Sequence, residues 1–157
     1  MVSISNNNSI DKDTSFYIVT LRYDNFLQLK DNDFSLIGFS ERSKIAEKLK
    51  QGDKLVIYIG SRVSKIAGII EINSTLIWDN DLIWDDIFPK RYKTNKVIIL
   101  DPEKYVEMRL IKDGLSFIKP EVIRFGVYFM NGLKKLKIED YDYIYKHCIN
   151  KMSISEN

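Results

Sequence analysis

Two tryptophans, Trp78 and Trp84, stand close together in a segment too acidic and irregular to be a core strand, beside Phe88 and just ahead of Lys90-Arg91-Tyr92. Core packing is the ordinary explanation for one tryptophan. Two in one loop, followed by cations, point instead to stacking chemistry, since an exposed indole on a nucleobase contributes roughly 1 to 3 kcal/mol per base. Covalent chemistry finds less support. The single histidine, His147, is followed by the single cysteine, Cys148, and neighbours on a helix point about 100° apart, so they do not form a base and nucleophile pair. Asp79, Asp81, Asp85 and Asp86 form an acidic group with neither a histidine nor the glycine-bearing pattern of a calcium loop. The seven glycines are scattered and make neither a Walker-type loop nor a dinucleotide-binding turn. These residues predict a binding protein without catalytic residues, metal or cofactor.

Cations capable of holding phosphate occur in three groups: Arg42, Lys44, Lys48 and Lys50; Lys90, Arg91, Lys93 and Lys96; and Lys134, Lys135 and Lys137. Each group taken singly reads as a solvated face, and a net charge of +2 argues neither for nor against nucleic acid. A chain of 157 residues suits one domain with a substantial core. No apolar run approaches a membrane span and the first residues are polar, so a soluble, intracellular, cytoplasmic protein is expected. The lone Cys148 excludes an intrachain disulfide and a cysteine-rich zinc site.

The elements that would position these groups follow from pattern. Residues 1–15 and 150–157 are polar and predict flexible tails around one domain at 16–149. A strand begins at Phe16. Asp24 is expected to cap a short helix whose Phe26, Leu27 and Leu29 turn inward, and Ser40 to cap a second, Glu41 to Leu49, anchored by Ile45, Ala46 and Leu49. Gln51-Gly52-Asp53 is a turn that releases the run Lys54 to Gly60, and a polar loop leads back through Lys65 to Ile72, which together describe a hairpin. Neither run alternates cleanly, as expected of strands buried on both faces. Gly68 within the second run marks a bulge or a close approach by another backbone or a ligand. An insertion from Asn73 to Pro89 precedes a strand ending at Leu100, and the last third reads as mostly helical, from Tyr105 to Lys112 and from Asp140 to Cys148. Phe125 to Met130 fits either strand or helix.

The order of these pieces resembles a known family. Phe16-Tyr17-Ile18-Val19-Thr20-Leu21, Asp24-Asn25-Phe26, Ile37-Gly38-Phe39, the basic stretch Ser40 to Lys50, the hairpin, the loop ending Phe88-Pro89-Lys90-Arg91-Tyr92, and Glu139-Asp140-Tyr141 look like the EVE domain of the PUA superfamily. The similarity is to its small archaeal single-domain members and, more distantly, to YTH domains, over roughly residues 16 to 148. It implies an α+β domain with a curled, barrel-like mixed sheet of five or six strands and surrounding helices. It further implies a pocket for a base flipped from its stack, formed by Thr20, Leu21, Asn25, Ile37, Gly38, Phe39 and Ser40, with Tyr58 on a wall and Trp78 or Trp84 as loop aromatics. Trp84 falls where YTH-like relatives carry a loop aromatic of their base cage. Phosphate contacts fall to Arg42, Lys44, Lys90, Arg91 and Lys93. The chain departs from the pattern at Ile37, where such relatives usually carry tryptophan, and Phe39 is the neighbouring aromatic. The function implied is non-catalytic recognition of DNA or RNA, with a modified, for example methylated, base in the pocket. An RNA-binding module that reads shape without a flipped base is the alternative, and a nucleic-acid hydrolase resembling the related ASCH domains is a third reading.

Overall fold

A computed structural model of the chain describes residues 13–60, 62–81, 88–119 and 132–154. Strand β1 (Phe16–Leu21) leads into helix α1 (Tyr23–Asp31), then β2 (Leu36–Phe39), a 3₁₀ turn (Ile45–Lys48), the hairpin β3 (Lys54–Ile59) and β4 (Lys65–Ile72), the short β5 (Ile77–Trp78), and β6 (Lys90–Ile99). After β6 come a two-residue strand β7 (Val106–Glu107), the single turn α2 (Met108–Ile111), β8 (Leu133–Leu136) and the long helix α3 (Ile138–Ile154). The main sheet runs β2-β6-β4-β3-β1-β8, with β5 added to β6 and β7 to β4. Among the described residues only the β1–β3 pair is parallel, so the sheet is mixed.

The expected burial on both faces is observed, and alternation explains how. Tyr17, Val19 and Leu21 of β1 and Leu55, Ile57 and Ile59 of β3 fill the inside of the curl. The intervening Phe16, Ile18, Val56 and Tyr58 form a second layer against Tyr141, Ile144 and Cys148 of α3. Gly68 meets both expectations. The β3–β4 register shifts between Ile57 and Tyr58, and a Cβ on Gly68 would lie 2.3 Å from the Ile98 carbonyl oxygen of β6.

Several local expectations are corrected. Glu41 to Leu49 forms one 3₁₀ turn rather than an α-helix, because only three apolar anchors hold it and the Ser43 hydroxyl competes for the Ala46 N–H. The Ser40 hydroxyl accepts a bond from Arg42 N–H in the preceding turn. Arg22, not Asp24, is the N-cap of α1; Asp24 lies within its first turn and accepts from the Asn25 N–H. Leu27 is exposed, since Phe26 and Leu29 already define the inward stripe. Tyr105 to Lys112 is broken into short pieces, and α3 runs past Asn150 to Ile154. Residues 125–130 lie outside the described residues.

The Gly-Asp turn is built as its sequence suggests. Gly52 takes a φ of 97°, and the fully buried Asp53 carboxylate accepts from Ser15 N–H at 2.9 Å, Lys50 N–H at 3.0 Å and Lys50 Nζ at 3.0 Å. Ser15 is thereby pinned to the sheet although it was expected in the tail. Asp53→Ala strands two backbone donors and should cost about 3 kcal/mol in urea unfolding. A loss under about 1 kcal/mol would mean that water replaces these bonds at little cost.

Candidate nucleic-acid interface

Strands β2 and β8 are the two edges of the sheet path, yet residues of both line one cavity of about 250 Å³. The sheet therefore curls until its edges approach, and the cavity occupies the seam. Its walls comprise Val19, Thr20, Leu21 and Arg22 at the end of β1, Asn25 on α1, Gly38, Phe39, Ser40 and Ser43 from β2 onward, Phe88 before β6, and Gly132 and Leu133 at β8. The Ser35 carbonyl accepts from Thr94 N–H, which sets the alternation of β2: Ile37 and Phe39 direct their main chain to β6, and Gly38 directs its N–H and C=O to the open edge.

Of the polar residues on the cavity wall, Asn25 is the buried one. Its residue is 9% exposed, and its side-chain amide has no hydrogen-bond partner among the described residues. A carboxamide buried this deeply without partners forgoes about 1 to 3 kcal/mol unless something else satisfies it. Phe39 sets one apolar wall and packs edge-on against Tyr92, with ring centres 6.2 Å apart. Tyr92 is itself fixed by donating to the Ala46 carbonyl at 2.6 Å, and burial pushes its hydroxyl up to about 12, so it remains a donor at neutral pH.

The structure gathers Thr20, Leu21, Asn25, Gly38, Phe39 and Ser40 around this cavity and leaves other expected residues elsewhere. Ile37 is fully buried in the inner core. Tyr58 belongs to the outer layer, its hydroxyl 2.8 Å from that of Ser64. The Leu21 carbonyl is engaged within the sheet, where it accepts from Gly60 N–H at 3.0 Å. Trp78 is 58% exposed and outside the cavity, with Lys90 Nζ 5.6 Å from its ring centre. Trp84 lies outside the described residues.

Among the expected phosphate ligands, Arg42, Lys44 and Lys93 are exposed. Lys90 and Arg91 are not: both are buried, Lys90 paired with Glu47 and Arg91 with Asp79. Lys90 holds the Glu47 carboxyl below the usual carboxylate range, first by its hydrogen bond and then by its charge. Sequence reasoning missed Arg22, Ser43, Phe88 and the β8 residues as lining groups. A cation directly after the first strand was the available signal for Arg22, whereas Leu133-Lys134-Lys135-Leu136 is too short and too charged to announce a strand.

His147 packs edge-on against Tyr143 at 4.7 Å, and burial pushes the Cys148 thiol up to about 12, which keeps it protonated. Among the described residues no group of three or more potential ligands could hold a metal ion, and no helix is long and apolar enough to cross a membrane.

No protein-family profile and no curated protein sequence matches the chain. Solved structures do. A hypothetical protein from Leishmania major is 12% identical with a TM-score of 0.61, covering 90% of this chain and 98% of its own. The YTH domain of Zygosaccharomyces rouxii MRB1, in complex with N6-methyladenosine RNA, is 17% identical with a TM-score of 0.58 over 88% of each chain. Human THYN1, in complex with 5-methylcytosine-containing DNA, is 12% identical with a TM-score of 0.52, covering 83% of this chain and 95% of its own. The fold is PUA-like. At such identities the likeness is one of fold, and the α+β architecture with its curled mixed sheet is the one expected from the sequence. Within this PUA-like frame the cavity sits where the first strand ends, between α1 and β2.

Proposed function

We propose that this protein is a non-catalytic reader of nucleic acid, of EVE-like type, that takes one unstacked base, methylated in the preferred ligand, into the cavity between β1, α1 and β2. The observation that carries the reading is Asn25: a buried carboxamide lining the cavity without a partner among the described residues offers a donor and an acceptor together, as the polar edge of a base requires. The Gly38 main chain at the open sheet edge and the Ser40 hydroxyl add further polar groups. Phe39 and Phe88 supply aromatic surface and take the place of the tryptophan that Ile37 replaces. At about 250 Å³ the cavity is smaller than the roughly 300 to 1,000 Å³ of sites for drug-sized molecules, which suits a single ring system. The complexes of MRB1 with N6-methyladenosine RNA and of THYN1 with 5-methylcytosine-containing DNA, both on this fold, support the same ligand class.

Phosphates flanking the base would lie over Arg22 at the mouth and the exposed Arg42 and Lys44 of the adjoining loop. Exchanging both Arg42 and Lys44 for Gln should weaken binding about equally for all sequences and flatten the salt dependence by about 1.4 in log–log slope for a single strand. Affinity independent of salt in the parent would exclude this path.

The decisive competition is between oligonucleotides that differ only in one methylated cytosine or adenine. The modified strand should bind more tightly than its unmodified twin, and single strand at least as tightly as duplex, because no unstacking is needed. Preference for folded RNA with indifference to the modification would instead identify a reader of RNA shape.

A further inference from the structure

Strand β6 begins with two adjacent cations and buries both, Lys90 to 1% and Arg91 to 4% exposure. Each holds a main-chain carbonyl of a residue that lines the cavity. Lys90 Nζ donates to the Ser43 carbonyl at 2.8 Å and to Glu47 Oε2 at 2.5 Å. Arg91 Nε donates to the Phe88 carbonyl at 3.0 Å, one terminal nitrogen donates to the Asp81 carbonyl, and the other pairs with Asp79 at 3.3 Å. Successive residues of a strand project to opposite faces, so one strand start grips two separate wall segments. Resting on the base-pocket reading, we propose that Lys90 and Arg91 are positioning residues that fix where Ser43 and Phe88 stand, and so set the width of the cavity, without touching the ligand.

The chemistry favours this over phosphate binding. Both cationic groups are already engaged and shielded from solvent, and withdrawing either would leave part-buried carbonyls without their side-chain donors. A guanidinium is also the group able to bridge acceptors on both sides of residues 82–87; an ammonium has the same charge but no planar fork.

Two variants test the proposal on the full chain. Arg91→Lys keeps the charge, and Lys90→Met removes it at similar volume beside the half-exposed Glu47. The probes are a single-stranded oligonucleotide with one methylated base, titrated at several salt concentrations, and amide order parameters measured without ligand. Positioning predicts roughly tenfold weaker binding for each variant with an unchanged salt slope. Order should fall at the Phe88 amide only in Arg91→Lys and at the Ser43 amide only in Lys90→Met. Parent-like binding by Arg91→Lys together with a flatter salt slope in Lys90→Met would overturn it in favour of phosphate contact. Unchanged order parameters in both would overturn it outright. Should the parent bind no oligonucleotide, the base reading fails while the ligand-free measurement still decides the positioning role. If Arg91→Lys does not fold, Lys90→Met decides by the same two readouts.

Discussion

Asn25→Leu is expected to fold, to melt at or above the parent temperature, and to lose ligand binding by about ten- to a hundredfold. A buried side-chain amide without a partner among the described residues destabilises the free protein, so an apolar replacement of similar size removes a cost of about 1 to 3 kcal/mol rather than a bond. In the complex the same replacement strands the polar edge of the base, and the loss of one or two hydrogen bonds amounts to about 1.4 to 2.8 kcal/mol, or ten- to a hundredfold. Stability and affinity thus move in opposite directions, as at other sites built for a ligand. Melting and titration on one sample resolve it: a Tm lowered by several degrees would show that Asn25 has a structural partner and is not held ready for a ligand.

Gly68→Ala is expected to be the most disruptive single-atom change in the barrel. The added Cβ would lie 2.3 Å from the Ile98 carbonyl oxygen and 3.2 Å from the Ile99 Cα, both main-chain atoms of β6 that no rotamer change can move. Relief requires parting β4 from β6 at the centre of the sheet, at an expected cost of about 3 kcal/mol. Urea unfolding should show a lower midpoint with an unchanged m-value. A variant within about 0.5 kcal/mol of the parent would mean that the two strands are not in this contact.

What could be read from the sequence was local and periodic. The hairpin was legible because Gly52-Asp53 marks its start and its two runs are too apolar to face water on either side. Gly68 was legible because a lone glycine in such a run needs a reason, and β6 is that reason. The pocket residues from Thr20 to Ser40 came from a resemblance in order, since no single residue among them announces a cavity. The missing parts depend on contacts distant in sequence. Strand β8 owes its existence to pairing with β1, more than one hundred residues away, and not to Lys134-Lys135. Lys90 and Arg91 read as surface cations because nothing nearby in sequence tells that Glu47 and the Ser43 carbonyl fold over one of them. The stretch Ser40 to Lys50 carried helix-compatible apolar spacing, but its serines accept local main-chain bonds that compete with a continuous helical ladder.

A base that reaches Asn25 at the seam of the sheet is reported directly by side-chain amide resonances. An oligonucleotide with one methylated base, titrated into labelled protein, should shift the Asn25 side-chain NH₂ and the Gly38 backbone N–H together. Both should saturate at the same concentration, with little change at Tyr58 or His147 on the opposite face of the sheet. Binding that leaves the Asn25 and Gly38 signals in place, with the shifts gathered instead on the exposed Lys135 of β8 or along α3, would contradict the base reading.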